Sequence, residues 1–145
     1  GTVRLSTLED LRWAIGSAEA ALIEWKTVPA SERASFLTRT REILDSRRDV
    51  VAKAITREQG KLPQEAEAEV ERSLQILDWF SKQAEKEMKC GDSDRYFFRQ
   101  AIGVAAVLTP FNMPLAAPIW KIAPALAAAL PGRSARRATP WERPM

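Results

Sequence analysis

Apolar residues return at three- and four-residue steps through the first 88 positions, and this helical period divides the stretch into four segments. In the first, Leu8, Leu11, Ile15, Ala18, Leu22 and Trp25 form the stripe, with Ser6 and Glu9 as an S-x-x-E capping box in front of it. The pattern predicts a helix over about 7–27, closed before Val28-Pro29. Ser31 is the expected N-cap of a second helix, about 31–45, with Phe36, Leu37, Thr40, Ile43 and Leu44 as its stripe. The segment Asp45-Ser46-Arg47-Arg48-Asp49 breaks or bends it, and Val50, Val51, Ala54 and Ile55 carry a third helix over about 47–59. Gly60 is a natural C-cap there, because glycine enters the left-handed region without a Cβ penalty. Pro63 can open a fourth helix, about 63–89, whose face is Ala66, Val70, Leu74, Leu77, Ala84 and Met88. Its first turns hold the acidic run EAEAEVE, where the helix dipole favours carboxylates.

After the turn Gly91-Asp92-Ser93-Asp94 the period changes. Tyr96, Phe97 and Phe98 are strand formers, which predicts a strand over about 95–100. Gly103 to Leu108 is a continuous apolar run too short for a helix and suited to a strand buried on both faces, about 103–109. Thr109-Pro110-Phe111-Asn112 then turns into Pro114 and an alanine- and leucine-rich helix, about 114–129, which Pro124 should interrupt. Helices come first and one β-α unit comes last. A parallel strand needs neighbours, and no second apolar strand follows this one, so the pattern predicts a piece of a larger α/β fold.

Composition narrows the function classes. At 145 residues with 46% hydrophobic content, the chain has the size and core-forming material of a single domain. Its longest apolar stretch, AIGVAAVL, is eight residues, far below the roughly twenty that a membrane-crossing helix needs. The opening GTVRLSTLED has no apolar signal-peptide core, and the single cysteine, Cys90, suits a reducing compartment, so the expectation is a cytoplasmic protein. There is no histidine and no metal-ligand spacing. The net charge of +3 resides in residues 131–145, where four arginines face one glutamate, so residues 1–130 carry equal numbers of each sign. That tail also holds three prolines and reads as disordered, and a nucleic-acid function would rest on its arginines alone. Trp13, Trp25 and Trp79 lie on or beside apolar stripes and are expected as core or interface anchors.

The chemistry concentrates at TPFN. In open α/β sheets ligands bind beyond the carboxyl ends of strands, and Thr109–Asn112 holds that place after Val104–Leu108. The Asn112 amide is able to donate to a developing oxyanion, and one such donor is worth about 10²–10³ in rate. On spacing alone the commoner role for such a residue is to cap the following helix or close an Asx turn. The residue pattern alone leaves both open.

The stretch IGVAAVLTPFNMPLAAPIWKIAPALAA, Ile102 to Ala128, closely resembles the aldehyde dehydrogenase superfamily, and SERASFLTRTREIL and ITREQGK resemble that family's N-terminal helices. The resemblance spans roughly residues 5–129. It implies NAD(P)-dependent oxidation of a small aldehyde to a carboxylic acid: a cysteine thiolate attacks the carbonyl, hydride leaves to NAD or NADP, and a glutamate-activated water hydrolyses the thioester. It further implies that Asn112 is the oxyanion donor, that Leu108, Thr109, Pro110 and Phe111 line the nicotinamide-ribose side of the cofactor cleft, and that Met113 and Trp120 line the aldehyde channel. Lys121 is a structural residue on this reading, and Lys61 in EQGK has no assigned chemistry. Residues 1–130 would be a partial N-terminal part of a Rossmann-like cofactor domain, and residues around Tyr96–Gln100 would join a strand used in assembling a homo-oligomer.

The departures from the family pattern fall after Ala128. Where the family continues with Gly-Asn, a strand and a Lys-Pro-Ser-Glu-like motif, this sequence has Ala129-Leu130-Pro131-Gly132-Arg133. The ribose-binding lysine, the glycine-rich turn, the base glutamate and the nucleophilic cysteine have no counterpart in these residues, and Cys90 stands outside any matching motif as an incidental thiol. The expectation is therefore a truncated or frame-shifted fragment, inactive alone and poorly equipped to hold the cofactor by itself. The competing expectation is a non-catalytic helical interaction module, with neither nucleic acid nor membrane as its partner.

Overall fold

The computed structural model describes residues 4–85 and 103–128. Within them lie α1 (Leu8–Trp25), α2 (Ala30–Ser46), α3 (Arg48–Gln59), α4 (Pro63–Glu85) and α5 (Ala116–Ala127). The strand expected at about 95–100, Cys90 and the basic tail lie outside the described residues. No helix among the described residues is long and apolar enough to cross a membrane.

Local chemistry explains the helix ends, with two shifts from expectation. Thr7, not Ser6, caps α1: its hydroxyl accepts from the Asp10 N–H at 3.2 Å, and the Asp10 carboxylate accepts from the Thr7 N–H at 2.7 Å. Ser6-x-x-Glu9 and Thr7-x-x-Asp10 overlap by one residue, and Arg4 favours the second box by pairing with Asp10. At α2 the N-cap is Pro29, with no side-chain cap bond, so Ser31 lies inside the first turn. The expected break in Asp45–Asp49 falls at Arg47, between α2 and α3. Gly60 ends α3 at φ 70°, in the left-handed region, and its N–H donates to the Thr56 carbonyl at 2.9 Å.

Helix α4 is the central element, packed against α2, α3 and α5. One cluster joins Ala34 and Leu37 of α2, Leu77 and Ala84 of α4, and Ala123 and Ala127 of α5. The second joins Ala52 and Ile55 of α3 to Ala66, Val70 and Leu74 of α4. Leu44 packs on both and links them. The α4 face therefore matches its three-four stripe over Ala66–Ala84. The α2 face matches only at Leu37 and Leu44. Arg33, Ala34 and Leu37 are buried, whereas Phe36 and Ile43 are each 48% exposed, so the inward stripe is turned from the expected one. Small Ala34 lets α2 approach α4 and α5 closely, and the bulkier neighbours turn outward.

Two further expectations change. Residues 103–110 carry no regular secondary structure, and the strand expected over about 103–109 is not formed. A strand is completed by a hydrogen-bonded neighbour, and among the described residues there is none. Pro124 does not interrupt α5, which continues to Ala127, with the Ala128 N–H bonded to the Pro124 carbonyl at 2.9 Å. A proline near the last turn forfeits one backbone bond and leaves the final carbonyls available to other donors. Pro114 falls in the turn ahead of α5 and does not open the helix itself.

Candidate functional site

The turn that carries the TPFN residues stands against the bundle through its last residues. Leu108, Thr109, Pro110, Phe111 and Asn112 are exposed, with Leu108 at 82% and Phe111 at 84%, while Met113 and Leu115 are half-buried. Trp120, one turn into α5, is 57% exposed, and Lys121 beside it is exposed. Leu108 to Asn112 are thus one continuous exposed edge, and Trp120 lies on the exposed side of the helix that follows. The residues expected to line the cofactor and aldehyde paths form a surface, not an enclosed pocket.

Helix α5 takes its first-turn hydrogen bonds from elsewhere. Its N-cap position is Leu115, without a side-chain cap bond from that residue. The backbone N–H groups of Leu115 and Ala116 donate to one oxygen, Glu69 Oε1, at 3.0 and 3.1 Å. Glu69 comes from α4, 46 residues upstream of Leu115. Its other oxygen receives the Lys61 ammonium, and the Ser73 hydroxyl donates to the Glu69 backbone carbonyl at 2.8 Å. The Glu69 side chain is only 2% exposed. Burial by itself raises its carboxyl, but the Lys61 ammonium and the two backbone N–H groups outweigh that and hold it below the usual carboxylate range. With Glu69 in the capping role, Asn112 is not the cap of α5, and its exposed side-chain amide is left for another partner.

The C-terminal end of α5 meets a second buried charge. Arg33, 2% exposed on α2, donates from Nε to the Ala127 carbonyl at 3.3 Å and from a terminal nitrogen to the Val28 carbonyl. Burial pulls its guanidinium below its ordinary value, yet arginine stays charged at any physiological pH.

Sequence reasoning passed over Glu69 and Arg33 and named Lys61 without giving it a role. Glu69 was visible only as part of an acidic run. Its spacing from Ala66 and Val70 mirrors that of Glu67, so the stripe alone does not separate the two, and Glu69 stands out only once α5 is packed beside α4. Trp13 and Trp79 were expected as core or interface anchors; they are 75% and 55% exposed and form no part of the bundle core, although Trp79 stacks edge-on against Phe80 at 4.6 Å.

Comparison with known proteins places this geometry. The family model described as the aldehyde dehydrogenase family matches residues 1–129. The chain belongs to the aldehyde dehydrogenase family. It is 39% identical over 129 residues to an alpha-ketoglutarate semialdehyde dehydrogenase of Haloferax volcanii, covering 85% of this chain and 27% of that enzyme. It is 36% identical over 132 residues to the alpha-ketoglutaric semialdehyde dehydrogenase of Bacillus subtilis, covering 87% and 27%. Among solved structures it superposes on a glyceraldehyde-3-phosphate dehydrogenase of Methanocaldococcus jannaschii complexed with NADP, with a TM-score of 0.82 and 26% identity, over 88% of this chain and 29% of that one. It also superposes on an NADP-dependent enzyme of E. coli with a TM-score of 0.76 and 32% identity, over 84% and 27%. The chain therefore spans about a quarter of the length of the aldehyde dehydrogenases it matches, and the match is to their N-terminal portion.

Proposed function

We propose that these residues are the N-terminal part of an NAD(P)-dependent aldehyde dehydrogenase in which Asn112 donates its side-chain amide to the carbonyl oxygen of the bound aldehyde. The observation that carries this reading is the division of labour at α5. Glu69 takes the Leu115 and Ala116 N–H groups, so the exposed Asn112 amide, three residues before Leu115, serves no cap. As negative charge develops on the oxygen under thiolate attack, an oriented amide N–H stabilises it more than it stabilises the neutral carbonyl.

NAD or NADP, when bound, accepts the hydride. The residues that would hold its nicotinamide-ribose end are Leu108, Thr109, Pro110 and Phe111, whose exposure fits one wall of such a site and no more than one. Met113 and Trp120 would line the approach of the aldehyde. The semialdehyde dehydrogenases among the relatives favour a small aldehyde that also carries a carboxylate. The full protein would be a cytoplasmic homo-oligomer built on a Rossmann-like cofactor domain, with residues 103–109 pairing as a strand once the neighbouring strands are present.

Of the groups that the reaction needs, this chain holds the oxyanion donor, while its one cysteine, Cys90, lies outside the motif. The chain alone is accordingly expected to give no NADH or NADPH with NAD(P) and short semialdehydes. The direct test replaces the matching N-terminal segment of the Bacillus subtilis relative with residues 1–129. The chimera should turn over semialdehyde, and Asn112→Ala in it should lower kcat by about 10²–10³. Full activity of the Asn112→Ala chimera would remove the assignment.

A further inference from the structure

Helix α5 is gripped at both ends by buried charges of the sign that its dipole favours. At the start, the Glu69 carboxylate accepts from Leu115 and Ala116 and is itself backed by Lys61. At the end, the Arg33 guanidinium donates to the Ala127 carbonyl. The positive end of the helix thus meets an anion and the negative end meets a cation.

The packing between the two grips explains why they are needed. The fully buried residues of α5 are Ala116, Ala123 and Ala127, all alanine, with half-buried Ile119 as the larger side chain packed beside them. Helices fix their relative position when ridges of side chains seat in grooves, and a face of alanines offers only a shallow ridge. Such a face allows close approach but resists sliding along the axis poorly. The two hydrogen-bonded charges are directional, and each is rooted in a different helix of the bundle, Glu69 in α4 and Arg33 in α2.

We propose that Glu69 and Arg33 are positioning residues that set the axial register of α5 and, through the Leu115 and Ala116 amides, the placement of the turn bearing Asn112. Asn112 is three residues from the Glu69 grip, too few to absorb a shift of the helix without moving. The value of this placement for catalysis rests on the reading of Asn112 given above, whereas the grip itself does not.

The test uses the ¹⁵N- and ¹³C-labelled chain and amide hydrogen exchange. In Glu69→Ala, Leu115 and Ala116 should exchange about tenfold or more faster, the loss expected for a charge-assisted hydrogen bond. The Ala52 and Ile55 amides of α3 should hold their rates, and the resonances of Phe111, Asn112 and Met113 should shift. Glu69→Gln keeps an acceptor oxygen and loses the charge. It should retain most of the protection while moving the Leu115 and Ala116 amide resonances, and it serves if the alanine variant does not fold. Arg33→Met should displace the Ala127 carbonyl resonance. Exchange at Leu115 and Ala116 that merely follows α3 would make Glu69 a stability residue only and overturn the proposal. So would unmoved resonances at Phe111–Met113 in the alanine variant, or at Leu115 and Ala116 in the glutamine variant. The Asn112→Ala chimera assay decides the catalytic reading separately, because it can fail while the exchange result stands.

Discussion

Helices α1 and α4 are both amphipathic by sequence, yet their residues meet different fates. Helix α4 buries Ala66, Val70, Leu74, Leu77 and Ala84 between three other helices. Helix α1, 18 residues long, has none buried: Leu8, Leu11 and Ile15 on its stripe stay exposed, and only Ala18, Leu22 and Trp25 are half-covered. What cover it has comes from Phe36, whose ring lies 5.4 Å from that of Trp25, and from Gly103–Ala106, which face Ala14 to Leu22 across a cleft of about 560 Å³. An apolar stripe states that a helix has a face to bury. What buries it is decided by which other elements are present, and the described residues provide partners for α4 and few for α1.

The largest expected contrast follows from this. Leu74 is 3% exposed between α3 and α4, and Leu74→Ala should cost about 2–5 kcal/mol, from lost transfer energy and from the cavity left behind. Equilibrium urea unfolding followed by circular dichroism would measure it. A loss under about 1 kcal/mol would mean that the α3–α4 cluster is not packed as described.

The comparison also marks what the chain disclosed about itself. The stripe of α4 and the left-handed stop at Gly60 were legible, because each is set by residues a few positions apart. The expected α3 stripe, by contrast, faces inward only at Ile55 and half-buried Val51, with Val50 69% exposed and Ala52 buried instead. The inward face of α2 was legible only at Leu37 and Leu44. Phe36 and Ile43 are more apolar than Arg33 and Ala34, but the bundle selects Ala34 for close approach and Arg33 for the carbonyl that it reaches at Ala127. The strand at 103–109 depends on a neighbour beyond the described residues, so an apolar run alone does not make one. At the candidate site the motif Thr109–Asn112 was legible as a motif, and whether Asn112 or another residue caps α5 was not. That choice turned on Glu69, 43 positions upstream, whose role exists only once α4 and α5 are side by side.

A smaller effect is expected at the joint between the two clusters' supports. Gly60 sits at φ 70° with open space where a Cβ would stand, so Gly60→Ala meets no clash and only the left-handed penalty of about 1–2 kcal/mol. Gly60→Asn should recover part of it, since asparagine tolerates that region. Equal stability of all three would show that the α3–α4 connection adopts another conformation.

Acid should loosen α5 before it loosens α3. The Glu69 carboxyl is held below its usual range in the folded chain, so its contribution is fully present above the ordinary glutamate value of about 4.3 and is lost as pH falls through the lower folded value. The loss should be milder than a substitution, because a protonated carboxyl still accepts through its carbonyl oxygen. Amide exchange at Leu115 and Ala116 should quicken below about pH 4 while Ala52 and Ile55 lag behind. Simultaneous loosening of both sets would mean that acid acts on the whole bundle and not through Glu69.

The smallest effect is expected where the comparison began. Leu11 lies on the α1 stripe but is 54% exposed, and no residue of that helix is buried. Leu11→Ser should therefore change the stability of the chain by no more than about 0.5 kcal/mol, the usual range for a surface position. The Thr7–Asp10 capping box would keep the start of the helix in place. The same substitution in the chimera with the Bacillus subtilis relative offers a second reading of the same residue. If the larger enzyme covers the α1 stripe, the cost there should rise toward the 2–5 kcal/mol of a buried leucine, and the difference between the two values measures what the chimera's added neighbours contribute. A cost near zero in both settings would make α1 a helix whose stripe faces solvent by design. A large cost already in the isolated chain would mean that α1 docks on the bundle more firmly than its exposure allows.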